Sequence, residues 1–151
     1  MRLQQYIDEN GLSAKIISLN TSTKTVEESL KALKCKPEEI IKSIIVVTDT
    51  SEFYLVLLQG NRKIKTKKLK RLLNVKDIKL ASPEQVEKVT GYKVGDVPPI
   101  SVELPIILDE LGLEVTQVYA GGGAPTKLIA ISIDELLDCT HPLIADVSVP
   151  I

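Results

Sequence analysis

Ile40-Ile41-Lys42-Ser43-Ile44-Ile45-Val46-Val47, with Asp49-Thr50-Ser51 and the apolar run 53–58 behind it, decides the reading of this chain. From Ile44 to Val47 every position is apolar. A strand wetted on one face would alternate, so this half predicts a strand buried on both faces. The Asp-Thr-Ser turn and the second run, Phe53-Tyr54-Leu55-Val56-Leu57-Leu58, predict a hairpin. Lys42 breaks the first half. In a buried strand an ammonium is costly unless it is paired or opens into a polar cleft. Lys42 is therefore the sharpest functional candidate, against the plainer reading of a strand that alternates here and turns Lys42 to solvent.

Toward the N-terminus, Thr25 with Glu28 makes a capping box, and Val26, Leu30 and Leu33 give that helix one apolar face, ended by Lys36-Pro37. Residues 14–18 predict a short strand, and Leu3, Tyr6 and Ile7 a helix closed at Gly11. Toward the C-terminus, Gln59-Gly60-Asn61 turns into a brief strand around 63–65. A helix over 66–73 follows, with Leu69, Leu72 and Leu73 inward. Residues 78–81 predict a strand, and Ser82-Pro83-Glu84-Gln85 opens a helix through Val89. Strands are expected at 104–108, 115–119 and 128–131. Ser132 with Glu135 caps a last helix, and 145–149 adds an edge strand. Strands and helices mix without βαβ alternation, which favours an α+β fold in one domain, 1–151.

Composition narrows the classes. Aromatic residues are 3%, with no Trp and one Phe, so Ile, Leu and Val must build the core, and base-stacking platforms are disfavoured. Net charge is -1, so any nucleic-acid contact must be a local patch. The basic run Arg62-Lys63-Ile64-Lys65-Thr66-Lys67-Lys68-Leu69-Lys70-Arg71 is such a patch, either a solvated helix face or a phosphate-contacting surface. Cys35 and Cys139 stand far apart in no ligand pattern, and His141 is the only histidine. A histidine-rich metal site and a His dyad are excluded, no Ser-His-Asp set can be argued, and no metal or cofactor is expected. With no apolar run long enough for a signal peptide or a bilayer span, the expected setting is cytoplasmic.

Two glycine stretches remain. Thr90-Gly91-Tyr92-Lys93-Val94-Gly95-Asp96-Val97-Pro98-Pro99-Ile100-Ser101 is a long loop stiffened by two prolines and carrying apolar residues, a pattern of function rather than disorder. Gly121-Gly122-Gly123 follows a predicted strand end, where free amides could stabilise an oxyanion; a plain turn is the alternative.

The ordered trio of Ile41-Lys42-Ser43-Ile44, Thr90 through Pro99, and the Gly121–Gly123 turn before a last strand and helix resembles the YbaK/ProX family of aminoacyl-tRNA deacylases. These are trans-editing domains similar to the insertion domain of prolyl-tRNA synthetase. The resemblance implies a mostly antiparallel, curved or barrel-like mixed sheet surrounded by helices. It implies hydrolysis of the ester of a mischarged aminoacyl-tRNA, with the acceptor end of tRNA as partner, a synthetase as a further partner, and neither membrane nor DNA. Lys42, Ser43, Gly121 and Gly122 fall at its catalytic positions, and Gly91, Tyr92, Gly95, Pro98, Pro99 and Gly123 at its substrate-binding wall. Lys65, Lys67, Lys68, Lys70 and Arg71 are the expected tRNA phosphate contacts. Asp109 matches an acidic position, for which a helix N-cap is the commoner role. This chain departs from the pattern at Asp96 and Ser101, which replace glycines, and at Gly121, where one relative group has Ser. A non-catalytic tRNA- or synthetase-binding module of the same fold is the competing reading.

Overall fold

The computed structural model describes residues 2–151. In chain order its elements are α1 (Leu3–Glu9), β1 (Lys15–Ser18), α2 (Val26–Leu33), β2 (Ile41–Thr48), β3 (Phe53–Gln59), β4 (Arg62–Ile64), α3 (Thr66–Leu73), β5 (Ile78–Leu80), α4 (Pro83–Thr90), β6 (Ile106–Asp109), β7 (Gln117–Gly121), β8 (Lys127–Ser132), α5 (Ile133–Thr140), β9 (Leu143–Ala145) and β10 (Ser148–Pro150), with 3-10 turns at Pro37–Glu39 and Glu110–Glu114.

The expected hairpin is the centre of the molecule. β2 and β3 pair antiparallel, with Lys42 opposite Leu58 and Ser43 opposite Leu57, inside a five-stranded sheet of order β5-β2-β3-β6-β9. β6 runs parallel to both β3 and β9, while the other ladders are antiparallel. A three-stranded sheet, β1-β8-β7, meets β2 through one parallel bridge, Ile40 to Tyr119, and β10-β4 forms a separate pair. The architecture is mixed α+β, with its sheets left open rather than closed into a barrel.

The doubly apolar half of β2 has its reason in two cores. On one face Ile41, Ile45, Leu55 and Leu57 join Val86, Val97, Val118, Ile131 and Leu136. On the other, Val46, Val56 and Leu58 pack with Leu69 of α3, Ile78, Ile107 and Val147. Burying a side chain of this size contributes about 1.5–3 kcal/mol. The three expected caps form: the hydroxyls of Thr25, Ser82 and Ser132 accept the amides of Glu28, Gln85 and Glu135. Glu135 does more than cap, since its carboxylate also accepts the amides of Ser13 and Ala14 at 2.8 Å each and so ties β1 to α5.

Two expectations change. The strand expected at 115–119 lies at Gln117–Gly121, because residues 110–114 take up a 3-10 turn capped by Asp109. The edge strand expected at 145–149 is two strands instead. Val147 is fully buried between them, and its amide donates to Asp109 Oδ1 at 3.0 Å. That anchor bends the tail, so β9 pairs with β6 and β10 with β4.

Candidate active site

The site begins as a missing partner. Gly60 donates its amide to the Ile40 carbonyl, and Thr48 donates to Glu52. The even-numbered residues of β2 therefore direct their main-chain groups at β3, and the odd-numbered ones point the other way. On that other side the bridge to Tyr119 ends at Ile40, and pairing with β5 starts only at Val46. Ala81 closes the upper end by donating to the Ile45 carbonyl at 2.9 Å. Between these points no strand flanks β2 among the described residues, so the N–H and C=O of Ser43 face a gap.

The gap is a cavity of about 310 Å³. Its walls are β2 from Ile40 to Ile45, the segment Thr23–Val26, the loop at Val94, Gly95 and Val97, the end of β7 at Ala120 and Gly121, and Leu80. Apolar side chains make most of that wall, and Leu80 and Val94, 61% and 51% exposed, stand at its mouth. Lys24 also lines it. Thr23 fixes this segment to the turn after β7, its amide donating to the Pro125 carbonyl and its hydroxyl reaching the carbonyls of Pro125 and Lys127.

Two glycines are dictated by close approach. Gly95 has φ +89°, and a Cβ there would stand 3.2 Å from the Lys24 carbonyl oxygen. A Cβ on Gly121 would stand 2.5 Å from the Val97 carbonyl oxygen, well inside contact distance. The central loop thus lies directly on the end of β7 at Gly121 and on the Lys24 backbone at Gly95, and a side chain at either glycine would push these segments apart.

Lys42 and Ser43 enter the cavity from opposite faces of β2. The Lys42 ammonium donates to the Arg62 carbonyl, so it leans toward β4 rather than toward the Gly121–Gly123 turn. A half-buried ammonium with no anion beside it takes the nearest carbonyl. Burial holds its pKa below the ordinary lysine value. The Ser43 hydroxyl is buried with no hydrogen-bond partner. Asp96 is buried as well, with Oδ1 unpartnered. Burial raises its pKa, against the opposing pull of Lys24 and Lys93.

Of the residues singled out in the sequence, Lys42, Ser43, Gly95 and Gly121 share the cavity wall. Gly91, Tyr92, Pro98, Pro99, Gly122 and Gly123 stand outside its lining. Gly91 closes α4 at φ +79°, Pro98 and Pro99 are buried in the body of the loop, and the Tyr92 ring lies against Gly123. The amides of Gly122 and Gly123 are already spent on the carbonyls of Lys127 and Asp96, at 3.1 and 2.9 Å. Of the three glycines only Gly121 turns its N–H toward the side of β2, by the alternation along β7. Helix α3 lies on the other core and does not line the cavity. There Lys68 pairs with Asp146 at 2.8 Å and Lys70 with Asp77 at 3.6 Å, while Lys65, Lys67 and Arg71 are exposed. Asp109 is a buried N-cap, and His141 is exposed at the end of α5. Sequence reasoning missed Lys24 and Leu80 as wall residues, because nothing local marks a residue that packs across the fold. Among the described residues no group of three His, Cys, Asp or Glu side chains is placed to hold a metal.

With this geometry in view, the comparisons are specific. Residues 20–139 match the aminoacyl-tRNA editing domain. The chain belongs to that family. This editing domain is 30% identical over 139 residues to the proline–tRNA ligase of Halalkalibacterium halodurans, spanning 92% of its own length and 24% of the ligase. It is 40% identical over 112 residues to the ligase of Syntrophotalea carbinolica, covering 74% and 20%. The editing domain thus spans a quarter or less of these two ligases. Among solved structures it is similar to the hypothetical protein APE2540 (TM-score 0.93, 30% identity, 99% and 100% of the two chains). It is similar too to a candidate trans-editing enzyme for prolyl tRNA synthetase (TM-score 0.89, 32% identity, 98% and 95%).

Proposed function

We propose that this editing domain deacylates a mischarged aminoacyl-tRNA in trans, the aminoacyl group entering the gap beside β2. The observation that carries the reading is the convergence of Lys42, Ser43, Gly95 and Gly121 on one mostly apolar cavity, although they are spread over three separate stretches of sequence. In the reaction water adds to the ester carbonyl carbon, the negative charge gathers on the carbonyl oxygen, and the bond to the ribose oxygen breaks. The ribose oxygen takes up a proton, leaving a free amino acid and uncharged tRNA. An aminoacyl ester is already labile, so positioning and charge stabilisation suffice without a nucleophile and base pair. Lys42 contributes a fixed positive charge at the cavity wall, free to exchange the Arg62 carbonyl for an anionic group of the tRNA end.

The small apolar chamber suits a short, uncharged amino acid. Such amino acids are hard to distinguish in one binding step, because a methylene is worth only about 1–3 kcal/mol. Lys24 at the cavity, with the exposed Lys65, Lys67 and Arg71 of the α3 region, supplies candidate phosphate contacts. The test is a panel of aminoacyl-tRNAs scored for release of free amino acid. Release above the spontaneous rate from at least one supports the reading. Binding of tRNA with no release from any would leave a binding module.

A further inference from the structure

In an antiparallel hydrogen-bonded pair, each residue gives its N–H and receives on its C=O from the one opposite. Ser43 presents both groups to the cavity and has no strand across from it, whereas its neighbours Lys42 and Ile44 spend theirs on Leu58 and Val56 of β3. An α-aminoacyl ester carries the matching set, an ammonium donor and a carbonyl acceptor on either side of one Cα. We propose that the main chain of Ser43 holds the aminoacyl group as a neighbouring strand would: its C=O accepts from the α-ammonium, and its N–H donates to the ester carbonyl oxygen. This rests on the deacylase reading and deepens it.

Three features favour it. First, Ser43 C=O is an unpaired main-chain acceptor in a mostly apolar chamber, where an ammonium needs one. Second, paired residues in this geometry place their side chains on the same face. The substrate side chain then lies beside the unpartnered Ser43 hydroxyl and near Val97 and Ala120. Lys42 projects from the opposite face, its ammonium drawn to the Arg62 carbonyl. Third, the donor to the ester oxygen becomes an oxyanion donor as the carbonyl carbon turns tetrahedral. Gly121 N–H, turned toward the same gap from β7, is placed to be the second. The amides of Gly122 and Gly123 cannot serve, being already bonded. The substrate class is thus an ester with a free α-amino group and a short side chain, read first through its main-chain atoms.

The experiment is amide hydrogen exchange by NMR on the full chain, free and with millimolar 3′-amino-3′-deoxyadenosine amides of alanine, serine and cysteine, which cannot be hydrolysed as esters. Free, Ser43 should exchange much faster than Lys42 and Ile44. With at least one analogue bound, Ser43 should slow by tenfold or more while Lys42 and Ile44 stay as they were. In parallel, the acceleration over the spontaneous rate is measured for alanyl-tRNA and for propionyl-tRNA, which lacks the amino group. The expected loss is tenfold or more, as for a hydrogen bond to a charged group. Binding without protection of Ser43, failure of all three analogues to bind, or equal acceleration of the two esters would overturn the inference. Deacylation that proceeds with Ser43 unprotected removes this proposal alone. No deacylation of any aminoacyl-tRNA removes the function beneath it.

Discussion

Between Val46 and Thr48, β2 lies between β3 and β5; between Ile41 and Ile45 it has β3 on one side and a cavity on the other. The two halves belong to one strand, and β-branched apolar residues predominate in both, Ile in the open half and Val in the closed one. In the closed half each side chain has an apolar neighbour, and Thr48, the one polar residue, accepts the amide of Glu52 at 3.1 Å. In the open half Lys42 takes a carbonyl from β4, and the Ser43 hydroxyl has no partner at all. The lesson is that this site is defined by the absence of a strand, and polar residues occur where main chain is left uncovered.

If the comparison is sound, damage to the open half costs rate and damage to the closed half costs stability. The largest effect is expected at Lys42. Lys42→Ala should fold normally and lose roughly a hundredfold or more in single-turnover deacylation, as for removal of one preorganised electrostatic stabiliser. Lys42→Arg should recover part of that, because a planar fork differs in shape from a point charge. Burial depresses the pKa of Lys42, so its charge is lost at lower pH than that of an ordinary lysine. The wild-type rate should accordingly decline early on the alkaline limb, while the arginine variant holds to higher pH. Near-normal deacylation by the alanine variant would break the comparison at its centre.

Next come the glycines that let the loop lie on β7 and on the Lys24 segment. Gly121→Val and Gly95→Val should each reduce turnover tenfold or more by displacing the wall, with a stability cost of about 1–3 kcal/mol in denaturant titration. Should unfolding account for all of the lost activity, the loop is scaffold only.

Val46→Ala probes the closed half. Val46 is 1% exposed, so about 2 kcal/mol of stability should go, with turnover per folded molecule within twofold of wild type. A large rate loss would show that the two halves are not separable.

The smallest effect is expected at α3. Replacing Lys65, Lys67 and Arg71 together by Ala should weaken tRNA binding and lower the slope of log affinity against log salt by about 0.7–0.9 per lost contact. An unchanged slope would make the basic run solvated surface.

How much of this was legible can be read from particular residues. Lys42 stood out because a charge in an apolar run has a cost that any reader of the sequence can price. The close approach at Gly95 could be suspected from a glycine in a proline-stiffened loop. Gly122 and Gly123 were misleading for the opposite reason. Three successive glycines look alike in sequence, yet the carbonyls of Lys127 and Asp96 claim two of their amides. The split of the C-terminal tail was equally hidden, since it depends on Asp109, thirty-eight positions away from Val147.

The sequence by itself determined the hairpin, its double burial, the three helix caps and the family, because periodicity, capping and short motifs are properties of residues a few positions apart. Only the tertiary structure decided that pairing beside β2 stops at Ile40 and resumes at Val46, and that β7, the central loop and Thr23–Val26 wall the interval. A vacancy is not encoded by the residues that border it. It arises from where all the other strands end, and it is their packing that leaves the main chain of Ser43 uncovered beside the cavity.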